Sequence, residues 1–362
     1  MYNQHFYCVI MAGGIGSRFW PVSRKQRPKQ FLNFSQSGKS FLRLAYDRLA
    51  GIIRRENVLV VSLACYREDV LAEIPELEAR NLLLEPYNRN TAPCIAYATY
   101  EILRRDPQAT VVVMPADQVI DDCDLYRETV RNALLYASAH DVLVTIGVVP
   151  TRPDSNFGYI QTAEPMPDGP VKVKTFTEKP DKELAQVFLD SGEFLWNTGI
   201  FIWKAALIAD QLARYAPLVA SLWRGWEQAL GSPGERSFIE RIYTDMPRTS
   251  IDYAVMEKSD AVVTYPASFG WADIGNWDSF YEYLAGVDAD GNAVRVPGKC
   301  LQEGNHRTLL YATRPDKLVA VSGLEDFIVL DTEDVLLICP RDSARIKDFV
   351  SELASPEYEA FR

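Results

Sequence analysis

The sequence predicts an α/β fold: a mixed, mostly parallel sheet covered by helices on both faces, followed by a small β-rich tail. Three observations lead there. Short apolar runs rich in Val, Ile and Leu recur up to Pro150, with amphipathic stretches between them, which is the rhythm of buried parallel strands. Beyond Pro150 that rhythm breaks, and Pro, Gly and aromatic residues become common. From Lys317 to Cys339, strand-like segments alternate with Gly or Asp/Glu turns.

Strands are expected at residues 6–11, 58–62, 82–84, 111–114 and 142–147. A helix places Phe41, Leu44, Ala45, Arg48 and Leu49 on one stripe behind Ser40, a candidate N-cap. Another opens at Asn90-Thr91-Ala92-Pro93, with Thr91 as its candidate cap, and carries Ile95, Thr99, Ile102 and Leu103 at helical spacing. Residues 171–176 and 199–203 read as hairpin pieces, 205–241 as helical, and 261–265 as a strand leading into 271–277. The Asp-Gly and Pro-Gly turns of 288–298 mark a boundary, so two domains are expected, 1–287 and 288–362. In the second, 318–321, 327–330 and 335–339 read as strands and 345–353 as a covering helix.

Composition narrows the function. The chain of 362 residues is 48% hydrophobic and 24% charged, as globular proteins are. It has no apolar run of membrane-spanning length, and residues 1–6 lack the pattern of a signal peptide, so a cytoplasmic, membrane-free protein is expected. A net charge of −11 argues against nucleic acid, whose partners present a basic face. Six scattered cysteines without a CxxC pair and only three histidines argue against zinc or a disulfide framework, and predict reduced, mostly buried thiols.

The sharpest motif is Met11-Ala12-Gly13-Gly14-Ile15-Gly16-Ser17-Arg18-Phe19-Trp20-Pro21, directly after the first strand. Clustered glycines let backbone N–H groups converge on phosphate oxygens. Arg18 follows, then Lys29 within Arg27-Pro28-Lys29-Gln30. A dinucleotide fingerprint fails because Phe19 stands where its third glycine belongs, which weakens a Rossmann oxidoreductase. A P-loop fails for want of its Gly-Lys-Ser/Thr.

This stretch resembles the signature of the sugar nucleotidyltransferases, with Ser17 and Phe19 in place of the usual Thr and Leu. The resemblance implies a Rossmann-like GT-A-type nucleotidyltransferase domain, with a short left-handed β-helix-like tail. The loop would cradle a nucleoside triphosphate, and Arg18 and Lys29 would stabilise phosphate charge. The reaction the resemblance implies is attack by a sugar 1-phosphate oxygen on the α-phosphorus, with pyrophosphate leaving. The nucleophile is already anionic, so positioning, cations and a metal, Mg²⁺, do the work rather than a base.

Hard oxygen ligands are expected at strand ends. Asp117 in Val113-Met114-Pro115-Ala116-Asp117 and Asp273 in Trp271-Ala272-Asp273-Ile274-Gly275 match the family's two metal aspartates. Gln118 stands where many members have His. Three blocks match those around the hexose: Gly158-Tyr159-Ile160, Glu178-Lys179-Pro180 and Trp196-Asn197-Thr198-Gly199. They imply sugar contacts from Gly158, Tyr159, Glu178, Lys179, Asn197 and Thr198.

Glu85-Pro86-Tyr87-Asn88-Arg89-Asn90-Thr91-Ala92-Pro93 and Ser250-Ile251-Asp252-Tyr253-Ala254-Val255-Met256-Glu257-Lys258 resemble blocks of the mannose-1-phosphate guanylyltransferases. That branch implies GTP and mannose 1-phosphate as substrates, and GDP-mannose and pyrophosphate as products. Nucleotide contacts would come from Ala12, Gly13, Gly14, Gly16, Ser17, Glu85, Asn88, Arg89, Asn90, Thr91 and Pro115, with Arg18, Lys29 and Asp117 catalytic. Glu85 can accept from guanine N1–H and N2–H₂, a pairing adenine does not offer; the alternative is a helix-capping loop that touches no base. The second block has no chemical reading beyond amphipathic packing. Family habit suggests a homodimer. The chain ends too soon for the cupin-type isomerase domain of some members, so no phosphomannose isomerase activity is expected. A sister enzyme with another nucleotide and hexose, or a catalytically silent nucleotide-sugar-sensing subunit, are the alternatives.

Overall fold

The computed structural model describes residues 3–14, 16–34, 37–165, 169–284, 287–341 and 345–362; Ile15 of the glycine-rich motif lies outside them. The chain forms two compact units, one of Met1–Gly13 with Leu42–Trp271, the other of Gly14–Phe41 with Ala272–Arg362.

The first unit is built on a nine-stranded sheet. Its strands are β1 (Phe6–Met11), β2 (Val58–Leu63), β3 (Leu82–Glu85), β4 (Thr110–Pro115), β6 (Leu143–Val148), β7 (Gly158–Pro165), β8 (Val171–Glu178), β9 (Phe194–Lys204) and β10 (Val262–Ala267), with a short β5 (Val119–Ile120) after β4. The order is β3-β2-β1-β4-β9-β6-β10-β8-β7, with β9 also pairing β7. β3, β2, β1 and β4 run parallel, in the register Cys8↔Val58 and Phe6↔Thr110. Their mainly apolar sequences fit burial on both faces. β9 then enters antiparallel between β4 and β6, and β6 pairs β10 in parallel. Residues 199–203 therefore belong to a central strand of 11 residues rather than to a hairpin.

Helices α1 (Phe41–Arg48), α2 (Arg67–Glu73), α3 (Thr91–Arg105), α4 (Cys123–Ala139), α5 (Lys182–Ser191), α6 (Ala205–Tyr215), α7 (Pro217–Leu222), α8 (Trp226–Ala229) and α9 (Glu235–Asp245) accompany the strands. The helical region expected over 205–241 comprises several helices, divided by Pro217 at the start of α7 and by the positive φ of Gly225 and Gly231. Trp203 and Trp223 are fully buried in the main core. Among the described residues no helix is long and apolar enough to cross a membrane. All six cysteines are free; Cys8, Cys94 and Cys339 are buried and Cys65 is exposed.

The second unit contains α10 (Trp277–Tyr283), the strands β12 (Ala293–Arg295), β13 (Lys299–Glu303), β14 (Leu309–Ala312), β15 (Leu318–Ser322), β16 (Phe327–Asp331) and β17 (Leu336–Pro340), and α11 (Arg345–Glu352); β11 (Trp271–Ala272) spans the boundary between units. β12, β14 and β16 stack in parallel, and β13 pairs β15 in parallel. Strands of successive coils thus form two separate ladders, a β-helix-like arrangement closed by antiparallel β17. The glycine-loop segment belongs to this unit through an aromatic cluster. Phe19 lies 5.1 Å from Trp277, Phe34 lies 4.8 Å from Phe280, and Trp277 lies 5.2 Å from Tyr311.

Candidate functional site

In the second unit, Gly16 takes φ 64°, a left-handed conformation that favours glycine. A carbon added to it would stand 2.6 Å from Lys29 Cβ and 2.8 Å from Lys29 N, so the loop rests directly on the lysine. Ser23 Oγ donates to Gly16 O at 2.6 Å and pins the turn from another side. Ser17 and Arg18 follow on a 3-10 turn (Ser17–Phe19) that leaves Ser17 exposed. The Arg18 guanidinium lies beside Gly275, 3.8 Å from where a Cβ there would stand. Lys29 is only 4% exposed. Its ammonium sits between the rings of Phe19 (5.6 Å) and Phe41 (5.4 Å) and reaches Asp273 Oδ1 at 3.4 Å. Gly16, Lys29 and Asp273 therefore form one contact chain.

In the first unit, the candidate nucleotide residues gather at the carboxyl ends of β1, β3 and β4, where open α/β sheets bind ligands. Ala12 N donates to Val61 O (2.8 Å), Ala116 N to Met11 O (3.0 Å), and Ser62 Oγ to Ala12 O (3.0 Å). Pro115 ends β4, and Asp117 follows after one further residue. Asn88 Nδ2 donates to Gly13 O at 2.9 Å, while its Oδ1 accepts from Asn90 N at 3.2 Å. Glu85, the last residue of β3, is buried; its Oε2 lies 3.3 Å from a carbon added at Gly13, and its Oε1 accepts from Tyr243 OH at 2.9 Å. Burial pushes this carboxyl up to about 8, with the Tyr243 hydroxyl opposing in smaller measure.

Two residues of this block hold the fold instead of facing open space. Arg89 donates to the carbonyls of Tyr243 (3.2 Å) and Thr244 (3.1 Å) and so closes the last turn of α9, where a cation suits the helix dipole. Thr91 is not the cap of α3. Asn90 is, at φ 71°, its side chain accepting from Thr91 N; the Thr91 hydroxyl accepts instead from Ile251 N at 2.9 Å. Asn90 has the non-helical backbone of a cap, which leaves the Thr91 hydroxyl to anchor the Ser250–Lys258 block.

The three hexose-side blocks meet on β7, β8 and β9, where Gly158 pairs with both Glu178 and Asn197. A carbon added at Gly158 would stand 2.5 Å from Glu178 Oε2 and 3.3 Å from Asn197 Cβ. Lys179, at φ 50°, pairs its ammonium with Glu178 Oε1. Asn197 Oδ1 accepts from Thr145 Oγ1 (2.9 Å) and Gly199 N (3.1 Å), and its Nδ2 donates to Asp252 Oδ1 (3.1 Å). Tyr159 and Thr198 point into the interior. The Tyr159 hydroxyl accepts from Asp154 N (3.0 Å), and Thr198 Oγ1 donates to Ile146 O (2.7 Å). Gln118 is buried; its side-chain amide donates to Thr198 O, and Arg48 Nη2 donates to Gln118 O at 3.0 Å, so it braces the hexose-side strand. Tyr243, Thr145 and Asp252 carried no sequence signal of their own, although Asp252 lies in a quoted motif.

Among the described residues no three His, Cys, Asp or Glu side chains gather at one point. Asp117 in the first unit and Asp273 in the second each offer carboxylate oxygens, the hard donors a divalent cation takes.

Comparison with known proteins extends this picture. The family model described as nucleotidyl transferase matches residues 7–289, and one described as a mannoseP isomerase/GMP-like beta-helix domain matches residues 304–353. The chain is 35% identical to the mannose-1-phosphate guanylyltransferase of Escherichia coli K12, over 98% of this chain and 74% of that protein. It is 33% identical to the enzyme of the same name from Klebsiella pneumoniae, over 98% and 76%. Among solved structures, a Thermus thermophilus protein described as mannose-1-phosphate geranyltransferase superposes with a TM-score of 0.86 at 30% identity, covering 97% of this chain and 100% of that one. The chain belongs to the nucleotidyl transferase family, among the mannose-1-phosphate guanylyltransferases.

Proposed function

We propose that the chain makes GDP-mannose and pyrophosphate from GTP and mannose 1-phosphate. A sugar-phosphate oxygen bonds to the α-phosphorus of GTP as the bond to the bridging oxygen breaks, and the electron pair leaves with pyrophosphate. No proton need be removed from the nucleophile. The barrier is the approach of two anions, so the protein's part is to align them and offset their charge.

In this reading the N–H groups of Ala12, Gly13, Gly14, Gly16 and Ser17 receive the triphosphate, and Arg18 and Lys29 offset charge as it develops. An ammonium held in apolar surroundings acts more strongly than one in water, and it is already positioned when the reaction begins. Glu85 reads guanine, with Asn88 and Asn90 shaping the loop beneath. Glu178, Lys179 and Asn197 address the hexose, and Gly158 leaves room for its ring. The family works with a divalent metal; Mg²⁺ is the ion proposed here, held by Asp117 and Asp273 and neutralising the triphosphate when bound. We further place the protein in the cytoplasm, as a homodimer without nucleic acid or membrane partners, with domains at 1–287 and 288–362.

The observation that carries the reading is the match with guanylyltransferases over 98% of this chain, a stretch that holds the loop, lysine, base-side and hexose-side blocks. Four nucleoside triphosphates set against four hexose 1-phosphates, with products read by mass, test it. GDP-mannose as the dominant product supports it. Preference for UTP or dTTP with glucose 1-phosphate would transfer the chain to a sister activity. Binding of GDP-mannose with no turnover under any metal would make it a sensing subunit.

A further inference from the structure

Asp252 stands in a short π-helical turn (Asp252–Met256) packed against the end of β8. Two contacts fix that turn: Glu178 N donates to Glu257 Oε1 at 3.1 Å, and Tyr253 OH donates to Glu178 O at 3.4 Å. The Asp252 carboxylate is thereby brought beside the Glu178 carboxylate and onto the Asn197 amide.

The Asn197 oxygen already has two donors and one of its N–H groups is given to Asp252, so only its second N–H is left for a sugar. Its position is that of a bracket for Asp252. Burial and the neighbouring Glu178 charge push the Asp252 carboxyl up, against smaller lowering by a backbone hydrogen bond and by Lys179. Two crowded carboxylates call for donors between or above them. The Lys179 ammonium is already paired with Glu178, which makes a second cation a poor guest. Neutral hydroxyls fit better, each giving a hydrogen bond without adding charge. Glu178 itself is held close to the bare backbone of Gly158, where an added carbon would meet its Oε2 at 2.5 Å.

We propose that Asp252 is a hexose-specificity residue, held by Asn197 so that its carboxylate accepts a hydroxyl of the sugar 1-phosphate beside Glu178. This rests on the proposed reading of the hexose side. The test compares the parent chain, Asp252→Asn and Asp252→Ala with mannose 1-phosphate and its 2-, 3-, 4- and 6-deoxy analogues, at saturating GTP and Mg²⁺. Loss of a hydrogen bond to a charged acceptor costs about 10- to 100-fold. Asp252→Ala should therefore raise KM for mannose 1-phosphate about 10- to 100-fold, with KM for GTP nearly unchanged. One deoxy analogue should suffer the same loss on the parent and none on Asp252→Ala. Asp252→Asn, which keeps shape but accepts without charge, should show the same pattern with a smaller loss, and serves should the alanine variant not fold. An unchanged KM, or equal penalties for every deoxy analogue on parent and variants, would overturn the assignment while leaving the activity standing. A parent chain that refuses mannose 1-phosphate would overturn both.

Discussion

Replacing Gly16 by alanine tests how the loop holds the lysine. The new methyl would lie 2.6 Å from Lys29 Cβ and 2.8 Å from its backbone nitrogen. Carbon contacts settle at about 3.5–4.0 Å, so loop and lysine must part by roughly 1 Å. Rotation of a side chain offers no relief, because one of the atoms struck is backbone. The turn is also pinned by Ser23, and φ 64° costs alanine about 1–2 kcal/mol. A 1 Å displacement of a charge-stabilising group costs about 10²-fold in rate. The variant should therefore fold, melt a few degrees lower, and lose about 10²-fold in kcat with a much smaller change in GTP binding. Pyrophosphate release gives kcat, and calorimetry gives the binding constant. A folded Gly16→Ala enzyme with kcat within about threefold of the parent would refute the claim that this contact positions Lys29.

Three further outcomes are expected. Lys29→Ala should lower kcat by about 10²–10³-fold while weakening GTP binding far less, since its role lies in the transition state; equal losses in both would assign it to ground-state binding. Glu85 has a raised folded-state value of about 8, so its contribution to stability is full below the ordinary carboxyl range and fades as pH rises through about 8. Thermal melts from pH 5 to 9 should therefore shift in favour of Glu85→Gln. GTP affinity should run the other way, rising with pH in the parent, because guanine donates to the ionised carboxylate, and staying flat in the variant; a flat parent profile would remove Glu85 from the base site. Asp273→Asn should raise the Mg²⁺ concentration needed for half-maximal rate, and an unchanged titration would take Asp273 off the metal.

The parallel half of the sheet was legible because its strands are apolar at most residues, as in β1 and β4, and because the glycine loop follows β1 directly. The central antiparallel β9 was not. Its apolar run looks the same in either direction, and only long-range pairing with β4, β6 and β7 sets its orientation. Motif reading found Gly158, Glu178 and Asn197, which the sheet register brings together. It could not tell which side chains on those strands face inward, so Tyr159 and Thr198 were expected to contact the sugar while the fold turns both into the core. Asn90 and Thr91 show a similar limit, since adjacent residues of similar capping propensity are separated only by backbone conformation. Tyr243 was invisible because its contact with Glu85 joins a helix and a strand far apart in sequence.

The proposed reaction is a single, direct displacement at the α-phosphorus, with no side chain taking the nucleotidyl group. GTP made chiral at that phosphorus by sulfur substitution tests this most directly, through the configuration of the GDP-mannose analogue formed. One in-line step predicts inversion. Retention would mean two displacements through a covalent nucleotidyl-enzyme, and would contradict the account.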